Sequence, residues 1–406
     1  MKKVIIIGGG AAGFFTAINI KELNPKLDVT ILEKGKDVLQ KVKISGGGRC
    51  NVTHACFEPK ELIKNYPRGK KELLGPFHQF MTGDTFEWFD NRGVPLKVEN
   101  DNRVFPEANT SQAIISCFTE LTNKLNIKVT TSQNVIDIEH QNHSWKVITK
   151  NKNHQCDFLV IASGSGKKIW DLVKKLDHKI ITPVPSLFTF NIKDPRIIDL
   201  GGVSVPNAIV KIAKTKLENS GPLLITHWGL SGPAVLKLSA YGARILSEKN
   251  YQYNVIVNWL GMDSDVVLEM LNNFKKKLSK KHIYLRSPFS NLPKRLWERL
   301  LNATKISPNA NWADLSNKQL NSLSIQLTQG LFNANGRTTF KDEFVTAGGI
   351  DLKEIDFKRF ESKIHKNLFI VGEALNIDAV TGGFNFQNAW TSGYICAKSI
   401  AENPSL

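Results

Sequence analysis

The first turn of the chain carries three glycines at the spacing of a dinucleotide-binding site. In Gly8-x-Gly10-x-x-Gly13, the first glycine makes the turn, the second admits a pyrophosphate, and the third lets a helix pack on a strand. Glu33 lies 20 residues beyond Gly13, at a position where a carboxylate can bind ribose hydroxyls. These four residues together predict that the chain binds a dinucleotide.

A second glycine cluster stands directly before three side chains of different chemistry. Gly46–Gly48 are followed by Arg49, Cys50 and Asn51. Three glycines in a row cost backbone entropy on folding, which favours a place where a ligand lies against bare backbone. The alternative is a plain glycine-rich turn with an exposed arginine.

The elements around these clusters follow an alternating strand and helix pattern. Lys2–Ile7 is an apolar, β-branched run typical of a strand buried on both faces of a parallel sheet. Helical spacing over Phe14–Leu23 and a second strand over Leu27–Lys34 complete a βαβ unit, whose crossover is almost always right-handed. Two later strands, within Cys156–Gly166 and Lys366–Asp378, end in small-residue turns or in an acid.

The pattern changes in the middle of the chain. Segments typical of β-strands begin near residue 188, and a basic helical stretch is predicted from about Asp265 to Arg299. The α/β pattern returns near residue 345. We therefore predict an α/β fold with a discontinuous Rossmann-like domain, 1–187 and 345–406, and an inserted domain, 188–344. The insert is predicted to be β-rich over about 188–260 and helical over about 261–335.

The chain is strongly basic. Its 406 residues include 54 Lys and Arg against 37 Asp and Glu, a net charge of +17. One acidic residue, Glu298, stands among nine basic residues between positions 275 and 299: Lys275, Lys276, Lys277, Lys280, Lys281, Arg286, Lys294, Arg295 and Arg299. This cluster favours RNA as a partner, and a lysine-rich solvated surface is the alternative.

The cysteines predict a reducing compartment. Five scattered cysteines are an odd number, which argues against a disulfide framework and for the cytoplasm. The pattern Cys50-x-x-x-His54-x-Cys56 suggests zinc, but a structural site needs four ligands and no second pair is present, so we predict no metal. No apolar stretch is long enough to predict a membrane span.

Four segments carry a resemblance to a known family: "KISGGGRCNVTH", "THWGLSGPAVLKLSA", "VTAGGID" and "GEALNIDAVTGGFNFQNAWTSG". Together they resemble a family of bacterial FAD-dependent oxidoreductases that includes aminoacetone oxidase, a dehydro-bile-acid reductase and a 23S rRNA dihydrouridine synthase. The resemblance covers essentially the whole chain. It implies a glutathione-reductase-type FAD domain in two parts and an insert with a β-barrel-like and a helical portion. Because only one GxGxxG motif is present, NADH or NADPH would bind only transiently.

The resemblance also implies roles for site residues. The triglycine segment would pass over the FAD pyrophosphate and ribityl chain, where its N–H groups can form an anion-binding nest. Arg49 would neutralise phosphate or steady the reduced flavin, and Asn51 would bond to cofactor or backbone. The expected FAD contacts are Gly8, Gly10, Ala12, Gly13, Glu33, Lys34, Lys41, Ser45, Gly46, Gly47, Gly48, Arg49, Cys50, Asn51, Val135, Ala162, Ser163, Gly164, Gly372, Glu373, Asp378, Gly382, Gly383, Phe384, Asn385 and Gln387.

Two residues are candidate proton donors. Reduction of a carbon–carbon double bond needs an acid for the second carbon, and Cys50 or His227 is the candidate. The alternatives are a small packing residue for Cys50 and a helix-capping histidine for His227.

Three functions follow from these observations. The first is a flavin reductase that uses NAD(P)H and acts on an activated C=C bond, in an rRNA uracil or an enone steroid. The second is a small-molecule amine oxidase of the aminoacetone type. The third is a non-enzymatic, flavin-containing RNA-binding protein. The basic cluster favours RNA over the small molecules.

Overall fold

The computed structural model describes residues 1–141, 144–338 and 345–403. Its strands are β1 Lys3–Ile7, β2 Asp28–Leu32, β3 Thr53–His54, β4 Leu96–Val98, β5 Arg103–Pro106, β6 Lys128–Thr130, β7 Val135–Gln141, β8 Ser144–Thr149, β9 Asn153–Cys156, β10 Phe158–Ile161, β11 Ile180–Ser186, β12 Thr189–Ile192, β13 Ser204–Ile212, β14 Glu218–Thr226, β15 Gly229–Ser231, β16 Gln252–Asn258, β17 Gly330–Thr338, β18 Val345–Ile350, β19 Ile355–Asp356, β20 Glu361–Ser362 and β21 Leu368–Ile370. Its helices are α1 Ala11–Leu23, α2 Gln40–Gly48, α3 Pro59–Leu62, α4 Leu74–Phe77, α5 Thr82–Asp90, α6 Gln112–Lys124, α7 Lys167–Lys175, α8 Pro233–Glu248, α9 Ser264–Lys277, α10 Lys294–Ala303, α11 Asn317–Thr328 and α12 Phe384–Ala401.

The chain divides into two compact units. The first comprises Met1–Val184 and Lys341–Leu406, and the second comprises Pro185–Phe340. The predicted end of the insert, residue 344, lies outside the described residues.

The first unit is built on a seven-stranded sheet in the order β19-β20-β21-β10-β1-β2-β6. The five strands from β21 to β6 are parallel, and β19 and β20 extend the edge in antiparallel pairing. Val4, Ile5, Ile6 and Ile7 of β1 are all buried, because α1 packs on β1 and β2 while β9 and β8 of a separate three-stranded sheet, β7-β8-β9, pack on β1 and β10. This architecture confirms the predicted Rossmann-like α/β fold.

The first and last helices of this unit lie against each other. A Cβ added to Gly393 of α12 would lie 2.9 Å from the Thr16 Oγ1 of α1, so glycine permits the close approach. The ring centroids of Phe15 and Trp390 are 5.1 Å apart, and those of Phe15 and Trp88 are 4.6 Å apart. This aromatic contact fixes the position of α12 on α1.

The second unit contains a closed six-stranded barrel in the order β12-β15-β14-β13-β16-β17. Buried apolar residues of its strands form its core, among them Phe190, Val210, Val255 and Phe332. The barrel-like portion expected for the insert is thereby confirmed. A helical cluster packs around Trp297 and Trp312, whose ring centroids are 6.2 Å apart.

Two expectations about the insert are wrong in detail. The predicted helical stretch from Asp265 to Arg299 is two helices, α9 and α10, separated by residues 278–293. Pro288 and Pro293 prevent a continuous helix there because proline lacks the N–H group. The predicted helical portion also ends in a strand, since β17 from Gly330 closes the barrel against β12.

Within the ranges described above, the structure contains no helix both long and apolar enough to cross a membrane.

Candidate nucleotide-binding site

The predicted glycines and acids meet at one edge of the first unit's sheet. Four neighbouring parallel strands, β21, β10, β1 and β2, all end there. The segments that follow them begin at Val371, Ala162, Gly8 and Glu33. The carboxyl edge of an open parallel sheet is where such folds bind ligands, because the strand-to-helix turns leave polar groups exposed there.

The glycines of the first turn differ in what surrounds them. Gly8 has a φ of +120°, and a Cβ there would lie 2.4 Å from the carbonyl oxygen of Ala162. A Cβ on Gly13 would lie 2.0 Å from the Gly8 oxygen. A Cβ on Gly10, by contrast, would meet no atom of the described chain within 4 Å. Gly8 and Gly13 are thus required for packing, whereas Gly10 borders open space.

Gly10 is also the N-terminal cap of α1. No side chain among the described residues caps this end, and its first turn contains no acidic residue. The first N–H groups of a helix have no partner inside the helix, and the helix dipole adds partial positive charge. The start of α1 is therefore suited to an anionic group such as a pyrophosphate.

Glu33 follows β2 and shapes the same turn. Its Oε2 accepts a hydrogen bond from the Gly9 N–H at 2.8 Å, and its Oε1 accepts one from the Gly35 N–H at 2.7 Å. The half-buried carboxylate is thus fixed by two backbone amides. Each oxygen keeps a second lone pair for a hydroxyl donor.

A charged pair lies beside the turns after β10 and β21. The Lys41 Nζ is 2.6 Å from the Glu373 Oε2, and the Glu373 Oε1 accepts from the Thr346 N–H at 3.3 Å. A Cβ on Gly164 would lie 3.5 Å from the same Glu373 Oε2. Lys41, Gly164 and Glu373, predicted from distant parts of the chain, are therefore together in the fold.

The triglycine segment adopts a left-handed backbone. Gly46, Gly47 and Gly48 have φ values of +58°, +68° and +84°, which only glycine adopts readily in succession. A Cβ on Gly46 would lie 2.8 Å from the Phe105 ring, whereas at Gly47 and Gly48 it would meet nothing in the described chain within 4 Å. The last two glycines therefore leave backbone exposed to open space, as Gly10 does.

Asn51 connects the triglycine segment to the start of α12. With its amide oriented to suit its neighbours, it donates to the carbonyls of Thr53 at 3.0 Å and Val104 at 3.2 Å, and accepts from the Gly383 N–H at 3.0 Å. A Cβ on Gly383 would lie 2.3 Å from the Thr53 oxygen. Asn51 thus makes the backbone bonds that the sequence suggested as one of its two roles.

Three predicted contacts have side chains that are engaged within the protein. The Arg49 Nη1 is 2.6 Å from the Glu99 Oε1, and the Arg49 guanidinium lies 3.9 Å above the Phe105 ring. Asp378 is fully buried in a bidentate ion pair with Arg68. The buried Gln387 binds three threonine hydroxyls, those of Thr53, Thr85 and Thr391.

Five further predicted residues have ordinary structural surroundings. Lys34 is exposed, and Val135 is 5% exposed at the start of β7. Ser45 Oγ donates to the Val42 oxygen at 3.0 Å. The Phe384 ring stacks on His54 beside Gly382, with centroids 4.5 Å apart, and the Asn385 amide bonds to the backbone of Ala379.

Cys50 is fully buried with a φ of +63°. Burial raises the pKa of its thiol to about 12, because the thiolate would lose its hydration, and the Ser45 hydrogen bond lowers that pKa only in part. These properties favour the packing alternative over a role as proton donor.

His227 belongs to the second unit. It is exposed on the turn between β14 and β15, and a Cβ on Gly201 would lie 3.1 Å from its Cε1 atom. It does not cap α8, whose N-terminal cap is Gly232.

Sequence reasoning gave no role to Thr346. Within the described part of the chain, the buried hydroxyl of Thr346 has no hydrogen-bond partner, and the same is true of the Ser163 hydroxyl and the Asn388 Oδ1. Unpaired buried atoms also occur elsewhere in the described chain, but the Ser163 and Thr346 hydroxyls adjoin Gly164 and Glu373 and are therefore available to a bound group. The segment "VTAGGID" carries part of the family resemblance, but no local pattern in it marks the threonine as a contact.

These features fit a dinucleotide with a flavin. Such a ligand would fill the open space at Gly10, Gly47 and Gly48 and would meet the uncapped start of α1 and the unpaired hydroxyls of Ser163 and Thr346. The described ranges contain no group of three or more His, Cys, Asp or Glu side chains that could hold a metal ion.

Comparison with known proteins identifies a matching family and two proteins that are similar over nearly the whole chain. A family model described as the HI0933-like protein Rossmann domain matches residues 2–399. The ribosomal RNA dihydrouridine synthase of Escherichia coli (strain K12) is 28% identical over 415 residues, which cover 98% of this chain and 97% of that protein. The 3-dehydro-bile acid delta(4,6)-reductase of Clostridium scindens is 25% identical over 417 residues, and 100% of each chain is covered.

One solved structure shares the fold over nearly the whole chain. The 3-ketosteroid-delta4-(5alpha)-dehydrogenase of Rhodococcus jostii RHA1 superposes with a TM-score of 0.51 at 11% identity, covering 99% of this chain and 97% of that one. At this identity the likeness concerns the fold alone.

Proposed function

The chain belongs to the HI0933-like Rossmann-domain family, and from that premise we propose that it is an FAD-dependent reductase of uracil in large-subunit ribosomal RNA. The family resemblance inferred from the motifs is confirmed by this membership. The chain is an enzyme, since relatives that match nearly its full length are a synthase and a reductase.

The carboxyl edge of the sheet supports FAD as the cofactor. The start of α1 would bind the pyrophosphate, the bare backbone of Gly47 and Gly48 would lie along the ribityl chain, and Glu33 would accept a ribose hydroxyl. When bound and reduced by NADH or NADPH, FAD would supply a hydride to one carbon of the double bond. Of the two predicted proton donors for the other carbon, His227 is the exposed one, and we retain it.

The charge of the second unit supports RNA as the substrate. Positions 185–340 contain 20 Lys and Arg against nine Asp and Glu, so +11 of the total +17 belongs to this unit. The remaining 250 residues hold 34 basic and 28 acidic residues, a net +6. A basic unit attached to a nearly balanced nucleotide-binding unit is the pattern expected when one part holds the cofactor and the other binds phosphates.

Not every residue of the basic cluster is free for phosphate. Lys275 donates to the Leu315 oxygen at 2.5 Å, Arg295 donates to the Asp199 oxygen at 2.5 Å, and Lys294 lies 3.7 Å from Glu298. Lys276, Lys277, Lys280, Lys281 and Arg286 are exposed, and the described chain provides them with no ion-pair partner. We propose that these five residues make the phosphate contacts.

The deciding experiment measures dihydrouridine by mass spectrometry in large-subunit rRNA from cells with and without this gene. The proposal expects the modification to disappear on deletion and to return with the intact gene. Persistence of dihydrouridine in the deleted strain would reject the RNA substrate.

An enone steroid is the second candidate substrate. The full-length similarity to the bile-acid reductase favours it, and it requires no basic surface. This candidate would be established by two results together. The protein would oxidise NAD(P)H only when a 3-oxo-Δ4,6 steroid is present, and it would leave rRNA unchanged.

A further inference from the structure

One tryptophan of the second unit is exposed. The chain has eight tryptophans, all within the described residues, and seven of them are at most 6% exposed. Trp228 is 56% exposed. A single exposed indole among seven buried ones requires an explanation, because burial of a tryptophan side chain is strongly favourable.

The turn that carries Trp228 is held by several backbone contacts. Its N–H donates to the Thr226 Oγ1 at 3.2 Å, and its carbonyl accepts from the Ile192 N–H at 2.9 Å. A Cβ on the next residue, Gly229, would lie 2.3 Å from the Phe190 oxygen. The backbone is therefore fixed on both sides of Trp228, and the indole projects from a well-defined position.

Positive charge adjoins this turn within the same unit. Lys193 is exposed and directly follows Ile192, the residue bonded to the Trp228 carbonyl. On the other side, the loop that places Gly201 against His227 accepts the Arg295 hydrogen bond at Asp199. Arg295 lies in the first turn of α10, so the aromatic turn is connected by direct contacts to the basic cluster.

We propose that Trp228 stacks on an unpaired nucleobase of the RNA, beside His227, while the basic cluster binds the phosphates. This inference rests on the RNA substrate proposed above. An exposed aromatic ring on the same unit as clustered cations is a combination by which proteins bind single-stranded nucleic acid, because every base offers a π face and every linkage a negative charge. Uracil must leave its stack before it can be reduced, and a ring that replaces the lost stacking would hold it out.

The fluorescence of Trp228 can report directly on RNA binding. Because Trp228 is the only tryptophan open to solvent, collisional quenching of the holoenzyme's emission by acrylamide reports mainly on it. We expect oligouridylate to quench this emission on binding and to protect it from acrylamide. Inorganic polyphosphate, a polyanion without bases, should compete for binding but leave the emission unchanged.

Variants of Trp228 distinguish base stacking from nonspecific binding of the RNA. Trp228→Leu should lower oligouridylate affinity about five- to hundredfold, whereas Trp228→Tyr should retain most of it. Val266→Ala, which trims an exposed apolar side chain at the acidic start of α9, should bind like the wild type. Thermal unfolding of each variant checks that the fold is intact.

The outcomes are distinct. If wild-type protein binds oligouridylate in a salt-dependent manner but Trp228→Leu binds as tightly, or the emission of Trp228 does not change, the stacking role is rejected and the RNA proposal stands. If wild-type protein binds no RNA at low salt, both are rejected.

Discussion

Adding one methyl group at each glycine, as in a substitution by alanine, distinguishes the glycines that the fold requires from those that leave room for a ligand. At Gly8 and Gly13 a Cβ would collide with backbone, while at Gly10 it would enter open space next to the start of α1. The same contrast holds between Gly46, against Phe105, and Gly47. Substitution at these positions can therefore separate cofactor binding from folding.

We predict that Gly10→Ala folds normally but binds FAD about five- to hundredfold more weakly, because the methyl group would overpack the pyrophosphate by about 1–3 kcal/mol. Gly13→Ala should instead lose stability, since its Cβ would lie 2.0 Å from the Gly8 oxygen. Thermal unfolding of apoprotein and titration with FAD measure the two effects. Unchanged FAD affinity in Gly10→Ala would contradict the site.

The thiols give a second residue-scale prediction. Cys50, Cys117, Cys156 and Cys396 are buried, and burial raises the pKa of each. Only Cys56 is partly exposed, so a disulfide reagent at pH 8 should modify one thiol in native protein and five after denaturation. Cys56→Ser should reduce the native count to zero.

The same burial predicts that Cys50→Ala changes turnover only a few-fold, because a thiol with a pKa near 12 and no solvent contact is a poor acid for a substrate. A loss of more than about a hundredfold with FAD still bound would restore Cys50 as the proton donor.

At the scale of elements, a buried histidine fastens the chain where it leaves the first unit. His178 lies between α7 and β11, and its Nδ1 is 2.9 Å from the Glu354 Oε2 while its Nε2 is 3.0 Å from the Ser362 Oγ. The imidazole is 1% exposed. Burial lowers the pKa of His178 because the cation would lose its hydration, and Glu354 opposes this only in part.

The lowered pKa of His178 makes the stability of the fold depend on pH. In the unfolded chain His178 takes up a proton near pH 6.5, whereas the folded chain does so only at lower pH. Its contribution to stability is therefore complete above pH 6.5 and is lost as the pH falls below that value. We predict that His178→Gln flattens the decline in unfolding free energy between pH 7 and 5, measured by urea denaturation.

Some elements were predictable from the sequence, and others were not. Continuous apolar runs and the glycine spacing determine β1, α1 and β2, because both are local patterns with a local physical cause. The ion pair of Asp378 with Arg68 joins residues 310 positions apart, and no local pattern identifies such a partner. The break between α9 and α10 was visible in two prolines, but the run of basic residues suggested one continuous helical stretch.

At the scale of the whole molecule, the division of charge predicts how RNA binding responds to salt. Replacing Lys276, Lys277, Lys280 and Lys281 by Gln should weaken RNA binding and reduce the slope of log affinity against log salt by up to about 3. The change should be similar for every RNA sequence, because phosphate contacts carry no sequence information.

A matched variant keeps the charge change but moves it to the first unit. Lys26, Lys60, Lys124 and Lys398 are exposed there, and their replacement by Gln should leave RNA affinity and its salt slope near the wild-type values. Equal losses in both variants would mean that net charge alone, and no particular surface, attracts the RNA.

The arrangement of the central sheet also has a consequence during synthesis on the ribosome. Strand β21, which lies beside β10, and helix α12, which lies on α1, are translated only after the entire barrel and its helices. The barrel is a closed unit whose strands all lie within one continuous stretch, so it can fold while translation continues. Strand β10 must wait for a partner more than 200 residues away, with its apolar edge uncovered. Chaperones acting on the nascent chain should therefore engage residues 1–180, and FAD can bind in full only after α12 has left the ribosome.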